Sequence, residues 1–200
     1  MRIGIFGGTF DPVHYGHLLL AEQCREQCNL EEIWLTPAGS PPHKESKGIS
    51  TGKQRREMLD FAIAGHPAFV VKDLELHREG PSYTVETLRQ LKASHPEHEF
   101  FLIVGADSVR DLHTWREPEL ILELATLIGV NRPNISLPDL TELTHKFGDL
   151  VRSKILWATM PGMDISSTDI RKRILENKSV RFMTPRAVEV YIHNNRLYLE

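Results

Sequence analysis

Six short apolar runs alternating with helical patterns constrain this chain more than anything else in it. The runs are 2–6, 32–36, 68–72, 99–104, 125–130 and 154–159. Most are continuous rather than alternating, as in Phe100-Phe101-Leu102-Ile103-Val104. A strand that buries one face alternates apolar with polar, whereas a strand covered by helices on both faces is apolar throughout. Helical repeats fill the gaps. Leu20, Cys24 and Cys28 recur every four residues beside Leu18 and Ala21. Met58, Phe61 and Ala62 follow the polar stretch 53–57, and Val85, Leu88 and Leu91 share a face. A shorter pattern spans 120–124, and Ile170 and Ile174 follow the sixth run. For the last helix, Thr184 suits an N-cap and Pro185 the first helical position, ahead of Val188, Tyr191 and Ile192. This order predicts an α/β fold with a doubly wound parallel sheet. One domain would cover 1–200, with a helical C-terminal part from about 166. Stretches 39–52 and 131–139 predict mobile loops. Each follows a strand and so leaves from the carboxyl edge of the sheet, where ligands bind in open α/β folds. The loop read over 131–149 carries no assignable motif beyond Arg132-Pro133.

Charge and composition remove several function classes. Twenty-four Lys and Arg against 27 Asp and Glu give a net charge of −3, which argues against a cationic protein that grips nucleic acid by charge alone. With 40% hydrophobic and 26% charged residues the chain has material for a core, and it is not compositionally disordered. No apolar run approaches the ~18 residues of a membrane span. The N-terminus reaches Gly7-Gly8 before a secretion signal could form. The two cysteines lie four apart in a helical pattern, so reduced thiols in a cytoplasmic protein are expected, with a core-packing role.

The stretch between the first strand and first helix is Gly7-Gly8-Thr9-Phe10-Asp11-Pro12-Val13-His14-Tyr15-Gly16-His17. The glycine pair lets the backbone turn and approach a ligand, and the helix start offers N–H groups and a positive dipole end to an anion. His14 and His17 can donate to phosphate oxygens across Gly16. Two solvated histidines, or a zinc pair, are the alternatives; no His, Cys or Asp partner at metal-ligand spacing accompanies them. A second stretch, Ile165-Ser166-Ser167-Thr168-Asp169-Ile170-Arg171, opens the helix after the sixth strand. Ser166 can cap that helix, and the hydroxyls, N–H groups and Arg171 together suit a polyanion. An ordinary capped helix is the plainer reading. Residues 48–54 resemble a P-loop but have three rather than four residues between the glycines, and Gln54 where Ser or Thr is needed. Neither a dinucleotide fingerprint nor a nucleophile elbow is present.

The first stretch resembles the HxGH signature of the nucleotidylyltransferases, whose fold is related to the class I aminoacyl-tRNA synthetases. The second resembles the ISSTxIR motif of the adenylyltransferase branch. Pro41-Pro42-His43-Lys44, Ser82 to Leu88 after Gly80-Pro81, Gly105-Ala106-Asp107 and Leu112-His113-Thr114-Trp115 extend the likeness. Together they resemble the bacterial nicotinate-nucleotide adenylyltransferases from residue 2 to 171. The resemblance implies a Rossmann-like fold and adenylyl transfer from ATP to nicotinate mononucleotide, in NAD biosynthesis. It implies catalytic roles for His14, His17, Lys44 and Arg171. ATP would be held by Gly7, Gly8, Thr9, Phe10, His14, His17, Gly105, Asp107, Ser166, Ser167, Thr168 and Arg171. Tyr83, Thr84, Trp115 and Arg132 would hold the mononucleotide. Mg2+ would arrive on the ATP phosphates rather than in a protein cage, and neither nucleic acid nor membrane is an expected partner. Phosphopantetheine adenylyltransferase shares both outer motifs, and a non-catalytic nucleotide-sensing module could use the same fold; these are the competing readings.

Overall fold

The computed structural model of the chain describes residues 1–39, 49–131 and 135–199. Strands β1 (Arg2–Gly8), β2 (Glu32–Pro37), β3 (Phe69–Val71), β4 (Glu99–Gly105), β5 (Ala125–Asn131) and β6 (Ile155–Thr159) form one sheet in the order β3-β2-β1-β4-β5-β6. The pairs β1–β4, β4–β5 and β5–β6 are parallel, with Arg2 opposite Glu99 and Leu127 opposite Ile155. The order runs outward from β1 to β3 and then resumes on the other side at β4. That reversal is the doubly wound arrangement.

Helices connect the strands. They are α1 (Tyr15–Gln27), α2 (Gly52–Ile63), α3 (Thr84–Ser94), α4 (Ala106–Arg110), α5 (Pro118–Leu124), α6 (Thr141–Phe147), α7 (Asp149–Lys154), α8 (Ser167–Leu175) and α9 (Arg186–Asn194). A 3₁₀ turn, Asp111–Thr114, follows α4. The chain divides into two compact units. The first is Met1–Phe6, Leu20–Trp34 and Tyr83–Gly162; the second is Gly7–Leu19, Leu35–Ser82 and Met163–Glu200.

In the first unit, β4 and β5 bury Phe100, Phe101, Leu102, Ile103, Leu127 and Ile128, and α3 adds Val85, Leu88 and Leu91. The continuous apolar runs of β4 and β5 are thus strands buried on both faces, whereas the edge strand β6 leaves Leu156 and Thr159 exposed. Cys24 and Cys28 are reduced and buried, and burial, with Cys28 beside it, pushes the Cys24 thiol up to about 12. These thiols pack rather than react.

In the second unit, α2 begins with a full capping box. The Gln54 N–H donates to Thr51 Oγ1 at 3.2 Å, and the Thr51 N–H donates to Gln54 Oε1 at 2.9 Å. The described part of the P-loop-like stretch, 49–54, is therefore the lead into a helix and its first turn. This helix packs against α9.

Three expectations are corrected here. Segment 131–149 is not all loop, because Leu143 and Phe147, four apart, bury the inner face of α6. Its entry is fixed by Asp139, whose carboxylate accepts from the Thr141 N–H at 2.9 Å. Thr184 does not cap α9: the N-cap is Pro185, and the buried Thr184 hydroxyl donates instead to the Val13 carbonyl at 2.7 Å. Phe61 is 46% exposed; Met58 and Leu59 carry the inner face of α2, and the Phe61 ring packs on Tyr191. The expected loop 39–52 falls mostly outside the described residues.

Candidate active site

The second unit contains both glycine- and serine-rich motifs. β1 ends at Gly8, and the chain then turns through Thr9 and Phe10, whose φ of 51° lies in the left-handed region. A phenylalanine tolerates that region poorly unless packing holds it there. The packing is present. A Cβ on Gly8 would lie 3.0 Å from the Phe10 ring, and His17 sits edge-on to the same ring with centroids 5.0 Å apart. Phe10 is 1% exposed, so its side chain supports the turn, and only its backbone could meet a nucleotide.

His14 and His17 stack with ring centroids 3.7 Å apart and planes 21° from parallel. The His14 N–H donates to His17 Nδ1 at 3.3 Å, and the His17 N–H donates to His14 Nδ1 at 3.4 Å. An Nδ1 that accepts cannot carry the proton, so a ring that accepts there carries its proton on Nε2. Burial pushes His14 down to about 4, which keeps it neutral at physiological pH. Gly16 makes the stack possible: a Cβ there would stand 3.0 Å from His14 Nδ1 and 3.6 Å from the Ile165 carbonyl oxygen.

That last distance already places the two motifs together, and hydrogen bonds complete the join. Ser167 Oγ donates to the Pro12 carbonyl at 2.9 Å, and Arg171 Nη1 donates to the Asp11 carbonyl at 2.7 Å. Arg171 Nη2 also reaches Thr168 Oγ1 at 3.3 Å. Ser166 caps α8 by accepting from the Asp169 N–H at 3.0 Å. The helix start and the histidine turn are one assembly, 155 residues apart in the chain at the Ser167–Pro12 bond.

A buried charged network underlies the turn. Asp11 is 1% exposed; Tyr198 Oη donates to its Oδ1 at 2.6 Å, and the Ser50 N–H donates to Oδ2 at 3.2 Å. Burial and the adjoining Asp11 carboxylate push the Tyr198 hydroxyl far up, so it remains a donor. Arg55, 2% exposed, donates to the carbonyls of Ser50, Thr9 and Gly39 at 3.1, 2.9 and 3.4 Å. Gly39 comes so close to its neighbours that a Cβ would lie 2.2 Å from the Glu75 carbonyl oxygen. Sequence reasoning missed Arg55 and Tyr198 and gave Thr184 a different role. Apart from Ser50, five residues before Arg55, their partners are carbonyls or a carboxylate distant in the chain, and no local spacing marks such contacts.

The first unit holds the remaining described candidates. Gly105 ends β4 and is the N-cap of α4, with its backbone open to approach. The Asp107 side chain is 91% exposed and lies 3.6 Å from Arg110. Tyr83 is the N-cap of α3, Thr84 begins the helix, and both are half-buried. Trp115, also half-buried, is linked to them through its neighbour Arg116, whose guanidinium lies 4.8 Å from the Tyr83 ring centroid. Arg89 on α3 pairs with Glu117, fixing the 115–117 segment against that helix. Lys44 and Arg132 lie outside the described residues.

Residues 5–173 match the cytidylyltransferase-like family. The chain is 43% identical over 198 residues to a protein of Desulfitobacterium hafniense named as a probable nicotinate-nucleotide adenylyltransferase, a match spanning 98% of this chain and 95% of that one. It is 44% identical over 198 residues to one of the same description from Thermus thermophilus, spanning 99% and 100%. The chain belongs to the nicotinate-nucleotide adenylyltransferase family. Among solved structures, the Plasmodium falciparum nicotinic acid mononucleotide adenylyltransferase complexed with NaAD superposes with a TM-score of 0.79 at 23% identity, covering 100% of this chain and 99% of that one. The same protein complexed with APC gives 0.77 at 24%, with the same coverage. At that identity the likeness is one of fold.

Proposed function

We infer that the protein transfers the adenylyl group of ATP to nicotinate mononucleotide, forming deamido-NAD and pyrophosphate in NAD biosynthesis. The observation that carries this reading is the join of the two motifs: Ser167 on Pro12, Arg171 on Asp11 and Ile165 against Gly16. A polyanion bound there meets two imidazole donors, a capped helix start and a guanidinium within one assembly.

The reaction is a direct in-line displacement. A phosphate oxygen of the mononucleotide attacks the α-phosphorus of ATP, the new P–O bond forms, and the bond to the bridging oxygen of pyrophosphate breaks. The attacking oxygen is already anionic, so no general base is required. Alignment and charge stabilisation are left to the protein. His14 and His17 would donate through Nε2–H to the α-phosphate oxygens. Because His14 is neutral, it acts as a hydrogen-bond donor and not as a cation. Arg171, with the α8 start at Ser166, Ser167 and Thr168, would face the departing phosphates, joined by Lys44. Gly7, Gly8, Thr9 and Phe10 would contribute backbone along the nucleotide, and Gly105 and Asp107 would take the ribose.

Asp11 is the one carboxylate in the stretch 7–17, and both of its oxygens are engaged by Tyr198 and Ser50. The turn therefore offers no acidic cage, which suits Mg2+ carried by the triphosphate and neutralising its charge there. Tyr83, Thr84 and Trp115, with Arg132, would hold the mononucleotide. An aromatic surface beside a helix start fits a flat ring bearing a carboxylate.

The test is pyrophosphate release from Mg-ATP with nicotinate mononucleotide, its amide counterpart, or phosphopantetheine as acceptor. Fastest release with the acid is expected. Release with phosphopantetheine alone, or ATP binding without release from any acceptor, overturns the reading.

A further inference from the structure

The turn between α3 and β4 has the sequence His95-Pro96-Glu97-His98. Among the described residues, the His95, Glu97 and His98 side chains form a group whose three ligand atoms all lie within 4.8 Å of one another. The backbone beneath them is closed. The His98 N–H donates to the His95 carbonyl at 3.2 Å, with Pro96 at the second turn position, where its fixed φ belongs. The His95 N–H ends α3 by donating to the Leu91 carbonyl at 2.9 Å. Lys92 Nζ donates to the carbonyls of Pro96 and His98 at 2.9 and 2.8 Å, holding the loop from the helix side. The two imidazole planes are 2° from parallel with centroids 5.3 Å apart.

His98 supplies the second observation. Its Nδ1 is buried and makes no hydrogen bond, although Glu97 Oε1 lies 3.1 Å away. A buried ring nitrogen without a hydrogen-bond partner is costly unless something else takes its lone pair. Glu97 is 62% exposed at its side chain and can rotate. In a tetrahedral zinc site, Zn–N and Zn–O distances near 2.0–2.2 Å put ligand atoms about 3.3 Å apart. The three ligand atoms, now within 4.8 Å of one another, need only close by about an ångström through side-chain rotation.

We propose that the His95–Glu97–His98 turn is a binding site for a first-row transition divalent cation of the Zn2+ class, separate from the nucleotide chemistry. Two imidazoles and one carboxylate are the donors such ions prefer, while Mg2+ selects all-oxygen sites and keeps its waters. Three protein ligands leave a coordination position for water. The bound ion ties the end of α3 to the start of β4. Trp34 reports on it, since its ring centroid lies 5.2 Å from His95 and 6.0 Å from His98.

The experiment uses untagged full-length protein in excess Mg2+. Calorimetric titration with Zn2+ is expected to show one ion per chain. The melting temperature should rise by about 5 °C at a hundredfold excess over the dissociation constant. Ni2+ should quench part of the tryptophan emission, and Zn2+ should reverse it. His95→Gln and His98→Gln should each weaken Zn2+ at least about tenfold and abolish the quench, with adenylyl transfer unchanged. Should His98→Gln not fold, Glu97→Gln, at an exposed position, carries the same expectation. Zn2+ bound with undiminished affinity by both histidine variants places the ion elsewhere and overturns the proposal, as does the lack of any saturable binding. Because the readouts are metal affinity and emission, these outcomes do not depend on which acceptor the enzyme uses.

Discussion

At the scale of single residues, the histidine pair shows how the backbone selects a protonation state. Each ring accepts a backbone N–H on Nδ1, which leaves Nε2–H as the donor. His17→Ala should therefore lower kcat by about 100–1000-fold, the usual cost of losing one transition-state donor, while ATP affinity stays close to wild type. Steady-state kinetics paired with equilibrium ATP binding checks this; parallel loss of both places His17 in ground-state binding. His14 carries a pH consequence. Burial lowers it from 6.5 to about 4, so between those values the unfolded chain binds the proton and the folded chain does not. Its contribution to stability is fully present above pH 6.5 and is lost as the pH falls toward 4. The total is about 3 kcal/mol, with little discount because the residue is only 6% exposed. Urea unfolding from pH 7 to 4 should show this fall in the wild type and a flatter profile in His14→Gln.

Among the elements, the histidine turn is held by the chain segments that follow α8. Thr184 takes the Val13 carbonyl, Met183 accepts from the Tyr15 N–H, and Tyr198 caps the Asp11 carboxylate. Tyr198→Phe removes a hydrogen bond to a buried charged acceptor, and a loss of about 1.5–3 kcal/mol in unfolding free energy is expected. Turnover should fall with it, because Asp11 anchors the turn through both oxygens. An unfolding midpoint equal to wild type would show that the hydroxyl contributes nothing. This is also where the limits of reading the chain by pattern are clearest. The buried strands were legible as continuous apolar runs, and α3 as a face of Val85, Leu88 and Leu91. Ser166 was legible as a cap because its partner is three residues away. Thr184 was misread because the same hydroxyl that suits a cap was claimed by a carbonyl 171 residues distant. Helix α6 went unread because it is seven residues long and shows only one apolar pair, Leu143 and Phe147.

For the whole molecule, the candidate residues fall into two sets by compact unit. The histidine turn and α8 belong to the unit formed by Gly7–Leu19, Leu35–Ser82 and Met163–Glu200, while Tyr83, Thr84, Gly105, Asp107 and Trp115 belong to the other. The motifs themselves were legible because each is contiguous in the chain. That Ser167 and Arg171 bond the backbone of the first motif was not legible, because only the folded chain brings those atoms together. If one set handles the triphosphate and the other the nicotinate ring, substitutions should separate by substrate. Trp115→Ala should raise KM for nicotinate mononucleotide about tenfold, the cost of one lost aromatic stack, and leave ATP affinity nearly unchanged. Ser167→Ala, which cuts the bond to Pro12, should weaken ATP use and lower kcat with little change in KM for the mononucleotide. Ser167 bonds Pro12 within its own unit, and if the two substrates are recognised independently the losses in kcat/KM should add in the double variant to within about 0.3–0.5 kcal/mol. A larger interaction energy would mean that the ring and the triphosphate are not recognised independently, and that one substrate helps to build the site for the other.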